Sequence, residues 1–213
     1  MIVPAIAGQD ETPLQIEFHA FADTGGKVVS LQKGMTMKSG DYYGFAFKAN
    51  QDCFVYIFQI DSSGAINQLF PMESYGKYSL QNRNPVAKGK QYIIPRNDLW
   101  FYLDSKVGEE KIILIGSRTA LTDLETQFQS YSNSSKQIIA SVPQVQPSAD
   151  LADSKTKLFE LFKHRGVTVV EDKTEKISMT TQGGQAVSPS LSGKLMSSQP
   201  GVLVDDSLTF WHK

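Results

Sequence analysis

The chain has 213 residues, of which 40% are hydrophobic and 10% aromatic, ample material for a packed core and too much for a disordered chain. Lys and Arg number 21 against 22 Asp and Glu, so there is no basic field to hold a phosphate backbone, and nucleic acid is not an expected partner. The single cysteine, Cys53, rules out an intramolecular disulfide and a cysteine metal cluster, and no stretch reaches the roughly 20 apolar residues of a membrane span.

The first residues, Met1 to Asp10, are similar to the end of a secretory signal, with Ala5-Ile6-Ala7 as a small-x-small cleavage site. Residues 1–12 are read as a signal remnant or a disordered lead, which places the protein in the periplasm or outside the cell. From Leu14 the pattern alternates: Leu14, Ile16, Phe18 and Ala20 share one face, and Gln15, Glu17, His19 and Phe21 the other, as in a half-buried strand. Asp23-Thr24-Gly25-Gly26 turns the chain, and Lys27 to Leu31 returns as the second strand of a hairpin. After the Ser39-Gly40-Asp41 turn, Tyr43, Phe45 and Phe47 fall on one face of a strand.

Cys53 to Ile60 is apolar on both faces and rich in β-branched and aromatic residues, so both faces must be covered. It is the expected central strand, with Cys53 as a small buried hydrophobe. Asp61-Ser62-Ser63-Gly64 turns it into Ala65–Phe70, which Pro71 ends. Met72 to Gly89 reads as a long polar connection, and Gln91–Ile94, Leu99–Leu103 and Lys111–Ser117 as further strands. Thr122-x-x-Glu125 is a capping box opening an amphipathic helix through Leu124, Phe128 and Tyr131. Ser132 to Ala149 reads as a linker, Lys155 to His164 as a second helix capped by Asp153 or Ser154, Val167–Val170 as a strand and Lys173 to Gly201 as loop. Ser207 to His212 is a last strand able to close the sheet.

These elements predict a mainly β fold: an antiparallel β-sandwich, jelly-roll-like, with two short peripheral helices and long Ser-rich loops. Residues 13–118 form the sandwich, and 119–213 a helix, linker, helix and terminal strand packed on it. Several motifs stand in order: Ser39-Gly40-Asp41, Cys53 to Ile60 with Asp61-Ser62-Ser63-Gly64, Leu69-Phe70-Pro71, Ile94-Pro95, Leu103-Asp104, Gly108-Glu109-Glu110 and Ser117-Arg118. In these the segment resembles a bacterial domain-of-unknown-function family found in envelope and secreted proteins, and beside caspase-like peptidase or kinase domains. The resemblance implies a β-sandwich accessory domain and no established activity.

The three histidines, His19, His164 and His212, lie far apart, with no metal-ligand spacing and no Gly-x-Ser-x-Gly elbow, so neither a catalytic residue nor a metal or cofactor is expected. Asp61, Asp104 and Glu110 read as a turn cap, a strand end and an acceptor for backbone amides or a partner of Arg118. A calcium site is their sharper alternative. On the long connection Tyr75, Tyr78, Arg83 and Asn84 combine contact area with adaptable hydrogen bonding, and are the candidate ligand-binding residues. The expected function is a non-catalytic binding or assembly module of the bacterial envelope or secretory path, recognising a protein or polysaccharide partner. Two alternatives stand beside it: a hydrolase using His164 or His212 with a carboxylate, and a subunit of a homo-oligomer or larger assembly whose carboxy-terminal segments act as an arm.

Overall fold

Alternating apolar residues form strands wherever Gly, Asp, Ser and Pro do not interrupt them. In the computed structural model, which describes residues 12–140, 149–163, 168–198 and 203–213, the chain runs in order through β1 (Gln15–Thr24), β2 (Lys27–Ser30), β3 (Thr36–Met37), β4 (Tyr42–Ala49), β5 (Phe54–Ile60) and β6 (Ile66–Phe70). It continues through β7 (Met72–Tyr75), β8 (Tyr78–Asn82), β9 (Gln91–Ile94), β10 (Phe101–Tyr102) and β11 (Gly108–Ser117) to the helices α1 (Thr122–Ala140) and α2 (Ala149–Lys163). β12 (Thr168–Lys176), β13 (Met179–Thr180), β14 (Ala186–Val187), β15 (Ser190–Ser198) and β16 (Val204–His212) follow. The strands form one compact unit and the two helices another.

The strand unit is the expected mainly β fold, two mostly antiparallel sheets packed face to face. One has the order β10-β4-β1-β15-β12, with β2 also on β1 and β9 on β4; the other has the order β3-β16-β11-β5-β6. The pair β16 and β3 is parallel. Between the sheets lies a core of Ile16, Phe18, Phe45 and Phe47 from the first and Val55, Ile57, Leu114 and Phe210 from the second. A smaller core forms where Phe21, Trp100, Met179 and Leu191 meet, held by the Trp100 indole N–H donating to the Thr180 carbonyl at 2.8 Å. Tyr56, Phe58, Ile113 and Ile115 are buried too, so β5 has both faces covered, as its composition requires.

Several expectations need correction. β5 is second from the edge, and the middle of its sheet belongs to β11. β1 is buried on both faces rather than half-buried, because Trp100, Ile177 and Met179 pack on Phe21 from the side away from the main core; His19 and Phe21 are as deeply buried as Ile16. The connection after Pro71 folds back on itself as the β7–β8 hairpin, turning at Gly76 with φ of 56°. The helices are longer than expected, at 19 and 15 residues, and α1 runs through much of the supposed linker. The Glu125 amide donates to the Leu121 carbonyl at 2.9 Å, which sets the helix cap one residue before Thr122.

The supposed loop from Lys173 to Gly201 holds the end of β12, the β13–β14 hairpin and all of β15. Its Ser, Gly and Lys residues have little intrinsic strand preference. They pair because β15 is flanked by β1 and β12, a tertiary cause that local pattern does not show. Ser207 to His212 does close a sheet, as part of β16 between β3 and β11. Residues 1–11, with the signal-like stretch, and His164 lie outside the described residues.

Candidate functional site

Four of the motif turns converge at one end of the sandwich. Asp61 caps its own turn, its Oδ1 accepting from the Ser63 amide at 2.9 Å, the Ser63 hydroxyl at 2.6 Å and the Ala65 amide at 2.9 Å. Asp104 Oδ1 accepts from the Lys106 amide at 2.7 Å, and the Ser62 hydroxyl donates to the Lys106 carbonyl at 2.9 Å, which ties the two turns together. The Gly40 amide donates to Leu103 and the Leu103 amide to Asp41, bringing in the Ser-Gly-Asp turn. Gly108 begins β11 so close to the first turn that an added Cβ would stand 2.7 Å from Ser62 Cβ. That approach carries Glu110 to the Ser62 amide, which donates to its Oε1 at 3.2 Å.

Behind the turns lies a buried polar chain. The Tyr43 hydroxyl donates to Gln59 Oε1 at 2.9 Å, and Gln59 Nε2 donates to Glu110 Oε2 at 2.8 Å. Burial pushes the Glu110 carboxyl above its ordinary pKa. The hydrogen bonds from Gln59 and Ser62 offset this only in part, and the charge of Asp61 adds to the rise. Burial likewise pushes the Tyr43 phenol well up, reinforced by the charge of Glu110. Above this floor opens a pocket of about 160 Å³, walled by Asp61, Ser62 and Asn67 and rimmed by Leu103, Asp104, Lys106 and Tyr102, whose ring is 53% exposed.

His212, fully buried at the end of β16, stands behind Glu110 with its Nδ1 3.9 Å from Glu110 Oε1 and its Nε2 3.0 Å from the Ser39 hydroxyl. The order Ser39, His212, Glu110 is that of a nucleophile, base and carboxylate. The His212–Glu110 distance exceeds a hydrogen bond, and Nδ1 has no partner among the described residues. The amides of Ser39, Gly40 and Asp41 already donate to Lys213, Leu103 and Lys38, so none of the three faces a reacting oxygen.

A second histidine cluster lies on the first sheet. His19 Nε2 is 3.1 Å from Glu17 and 3.8 Å from Glu175, and this trio has the ligand types of a metal site. Lys48 Nζ stands 3.4 Å from Glu17 and 3.1 Å from Glu175, a cation already in place between the carboxylates. Burial alone would raise the Glu17 carboxyl, but the His19 hydrogen bond and the Lys48 charge outweigh it and hold the group below its ordinary value. Cys53 is a buried thiol pushed up to about 12, first by burial and then by Asp52.

The four residues singled out on the β7–β8 connection have separate roles. Tyr75 folds onto the core, edge-on to Phe101 at 5.3 Å. Asn84 is taken up by the backbone of β5, accepting from the Val55 amide at 3.0 Å and donating to its carbonyl at 2.8 Å. Arg83 is exposed, and Tyr78 is exposed beneath Lys77 and Arg96, which lie 5.6 and 5.4 Å from its ring centre. Arg118 turns to Gln51 and the Thr12 carbonyl, so Glu110 has the amide partner expected of it and not the arginine. The pocket residues Tyr43, Gln59 and Tyr102 escaped the sequence reading. Its one available signal was Gln59, a lone amide in an otherwise apolar strand, which a buried position obliges to find partners.

No curated protein and no solved structure shows a significant match to the chain. Residues 36–120 match the model of a family described as Domain of unknown function (DUF4384), a span that carries β3 to β11 and every residue lining the pocket.

Proposed function

We propose that the protein is a non-catalytic recognition module that binds its partner through the pocket bounded by Asp61, Asp104, Glu110 and Tyr102. One observation carries this reading: a buried polar floor opens to solvent beside a half-exposed aromatic ring, the combination by which binding sites fix orientation and gain contact area. The bacterial envelope or secretory path is the compartment that goes with it, supported by the signal-like Ala5-Ile6-Ala7 and by the family resemblance. A hydrolase is the competing reading, favoured by the 3.0 Å contact of Ser39 with His212.

Affinity enrichment from envelope extracts, run in parallel with the Tyr102→Ala/Asp104→Ala double variant, tests the proposal. Both positions are exposed, and the lost Asp104 cap on the Lys106 amide is expected to cost only about 1 kcal/mol, so the variant stays folded. A partner retained by the wild type and lost from the variant is the expected result. Partners indifferent to the substitutions, or hydrolysis of an activated ester that Ser39→Ala abolishes, would overturn it.

A further inference from the structure

The recognition pocket differs from an ordinary polar crevice in the sign of what it offers. Asp61, Asp104 and Glu110 bring three carboxylates to it, and Lys106, exposed at the rim, is its one ammonium. Its donors are largely spent inside the protein: the Tyr43 hydroxyl on Gln59, the Ser62 amide on Glu110 and the Ser62 hydroxyl on Lys106. Its acceptors are not. Asp61 and Asp104 each use Oδ1 to cap a turn, and neither Oδ2 accepts a hydrogen bond from the described residues. A group that enters must therefore donate and carry positive charge, which fits an ammonium with three donors or a guanidinium with five.

Burial and size narrow the choice. Glu110 is 3% exposed and has no lysine or arginine ion pair among the described residues, so a carboxylate held there is short of compensation. Its pKa is raised accordingly, first by burial. A volume of about 160 Å³ is below the range of about 300 Å³ and upward that encloses a whole small-molecule ligand. It suits the head of a side chain whose stem remains outside. At the rim the exposed Tyr102 ring, 5.8 Å from that of Tyr42, supplies a face for the stem and for the cation itself. A sugar hydroxyl, which accepts as well as donates, would find its remaining donors at the exposed rim, on Asn67, Tyr102 and Lys106, and none at the buried floor among the described residues.

We infer that this pocket receives the guanidinium or alkylammonium group of a basic side chain on a partner polypeptide, with Asp61, Asp104 and Glu110 as counter-charges and Tyr102 against the stem. The inference rests on the recognition reading above and specifies its ligand.

The test is a set of NMR titrations of the full chain, following backbone amides. The probes are N-acetyl-arginine amide, its neutral isostere N-acetyl-citrulline amide, the free diamine putrescine and the neutral oligosaccharide chitotriose. The arginine probe is expected to shift Ser62, Lys106 and Glu110, more weakly as salt is raised, and to bind at least about tenfold more tightly than the citrulline probe. Asp104→Asn and Tyr102→Ala, both at exposed positions, are each expected to weaken it by about two- to fivefold while leaving distant signals unchanged. Equal binding of the arginine and citrulline probes overturns the inference. Binding of putrescine without the arginine probe removes the polypeptide as the source. Chitotriose shifting the pocket when the arginine probe does not overturns the inference and leaves the recognition reading standing. Shifts confined to other surfaces, or none with any probe, overturn the inference, and the recognition reading then stands or falls on the enrichment experiment.

Discussion

Two buried histidines sit beside glutamates in this sandwich, and what separates their surroundings is a lysine. At His19 the carboxylates of Glu17 and Glu175 share the ammonium of Lys48, and Glu17 is held below its ordinary pKa. At His212 the neighbouring Glu110 has hydrogen bonds from Gln59 and Ser62 but no lysine or arginine partner among the described residues, and its pKa is raised. The first cluster is closed, since each charge has a partner within the fold. The second is open, and it is the one that faces a pocket. Similar residue types are therefore neutralised within the fold in one place and left beside a cavity in the other, and compensation decides which.

The largest effects that bear on this comparison come from the glycines that set each cluster's geometry. A Cβ at Gly193 would stand 2.2 Å from His19 Nδ1 and 2.5 Å from the Phe18 carbonyl, where backbone cannot give way. Gly193→Ala is expected to cost about 3 kcal/mol in urea unfolding. Gly108→Ala meets the Ser62 Cβ at 2.7 Å and holds a φ of 150° that an L side chain rarely adopts, and it is expected to cost about 1–3 kcal/mol. If Gly108→Ala proved the costlier, the open end would be the more rigid of the two.

Removing the lysine tests compensation directly. Lys48→Met leaves Glu17 and Glu175 without their shared cation, and a loss of about 1–2 kcal/mol at neutral pH is expected from the same measurement. An unchanged midpoint would show that the first cluster is as uncompensated as the second.

The smallest effects are in pH dependence, where the two clusters should differ in sign. Glu17, held low, contributes stability that is present above the ordinary carboxylate pKa and lost as pH falls through its depressed value. Glu110, raised, contributes stability that is present below the ordinary value and lost as pH rises through its elevated one. The penalty of Glu17→Gln is therefore expected to shrink below about pH 4, and that of Glu110→Gln to shrink as pH rises toward neutrality. Urea midpoints of both variants and the wild type across this range check it; the same sign for both would erase the distinction.

Much of the fold was legible in the residues, because strands such as β4 and β5 carry their burial in their own alternation and aromatic content. The end of β12 and all of β15 were not legible: Ser, Gly and charged residues become strands there because a neighbouring strand supplies the hydrogen bonds. The pocket was half legible. Asp61, Asp104 and Glu110 stood out as motif carboxylates, and Asp61 caps its turn as read, while Asp104, read as a strand end, caps a turn as well. That all three line one cavity with Tyr43, Gln59 and Tyr102 follows from strand pairing distant in sequence, which no local spacing encodes. Tyr75 and Asn84 looked available in the sequence because nothing local shows the Phe101 ring or the β5 backbone that engages them.

The place of β16 between β3 and β11 has a bearing on how the chain comes to be folded. Residues 36–120 alone leave β11 with one edge unfilled, an apolar strand in the middle of its sheet that waits until the end of the described chain has been synthesised. Both helices are made in that interval, so the pairing is long-range and slow, and the open edge is the place where another unfolded chain could add itself. When β16 enters, His212 arrives behind Glu110 and β11 gains its second neighbour in the same step. The backbone behind the pocket is thus completed by a strand outside the matched segment, and the pocket takes its final form late in the life of the chain.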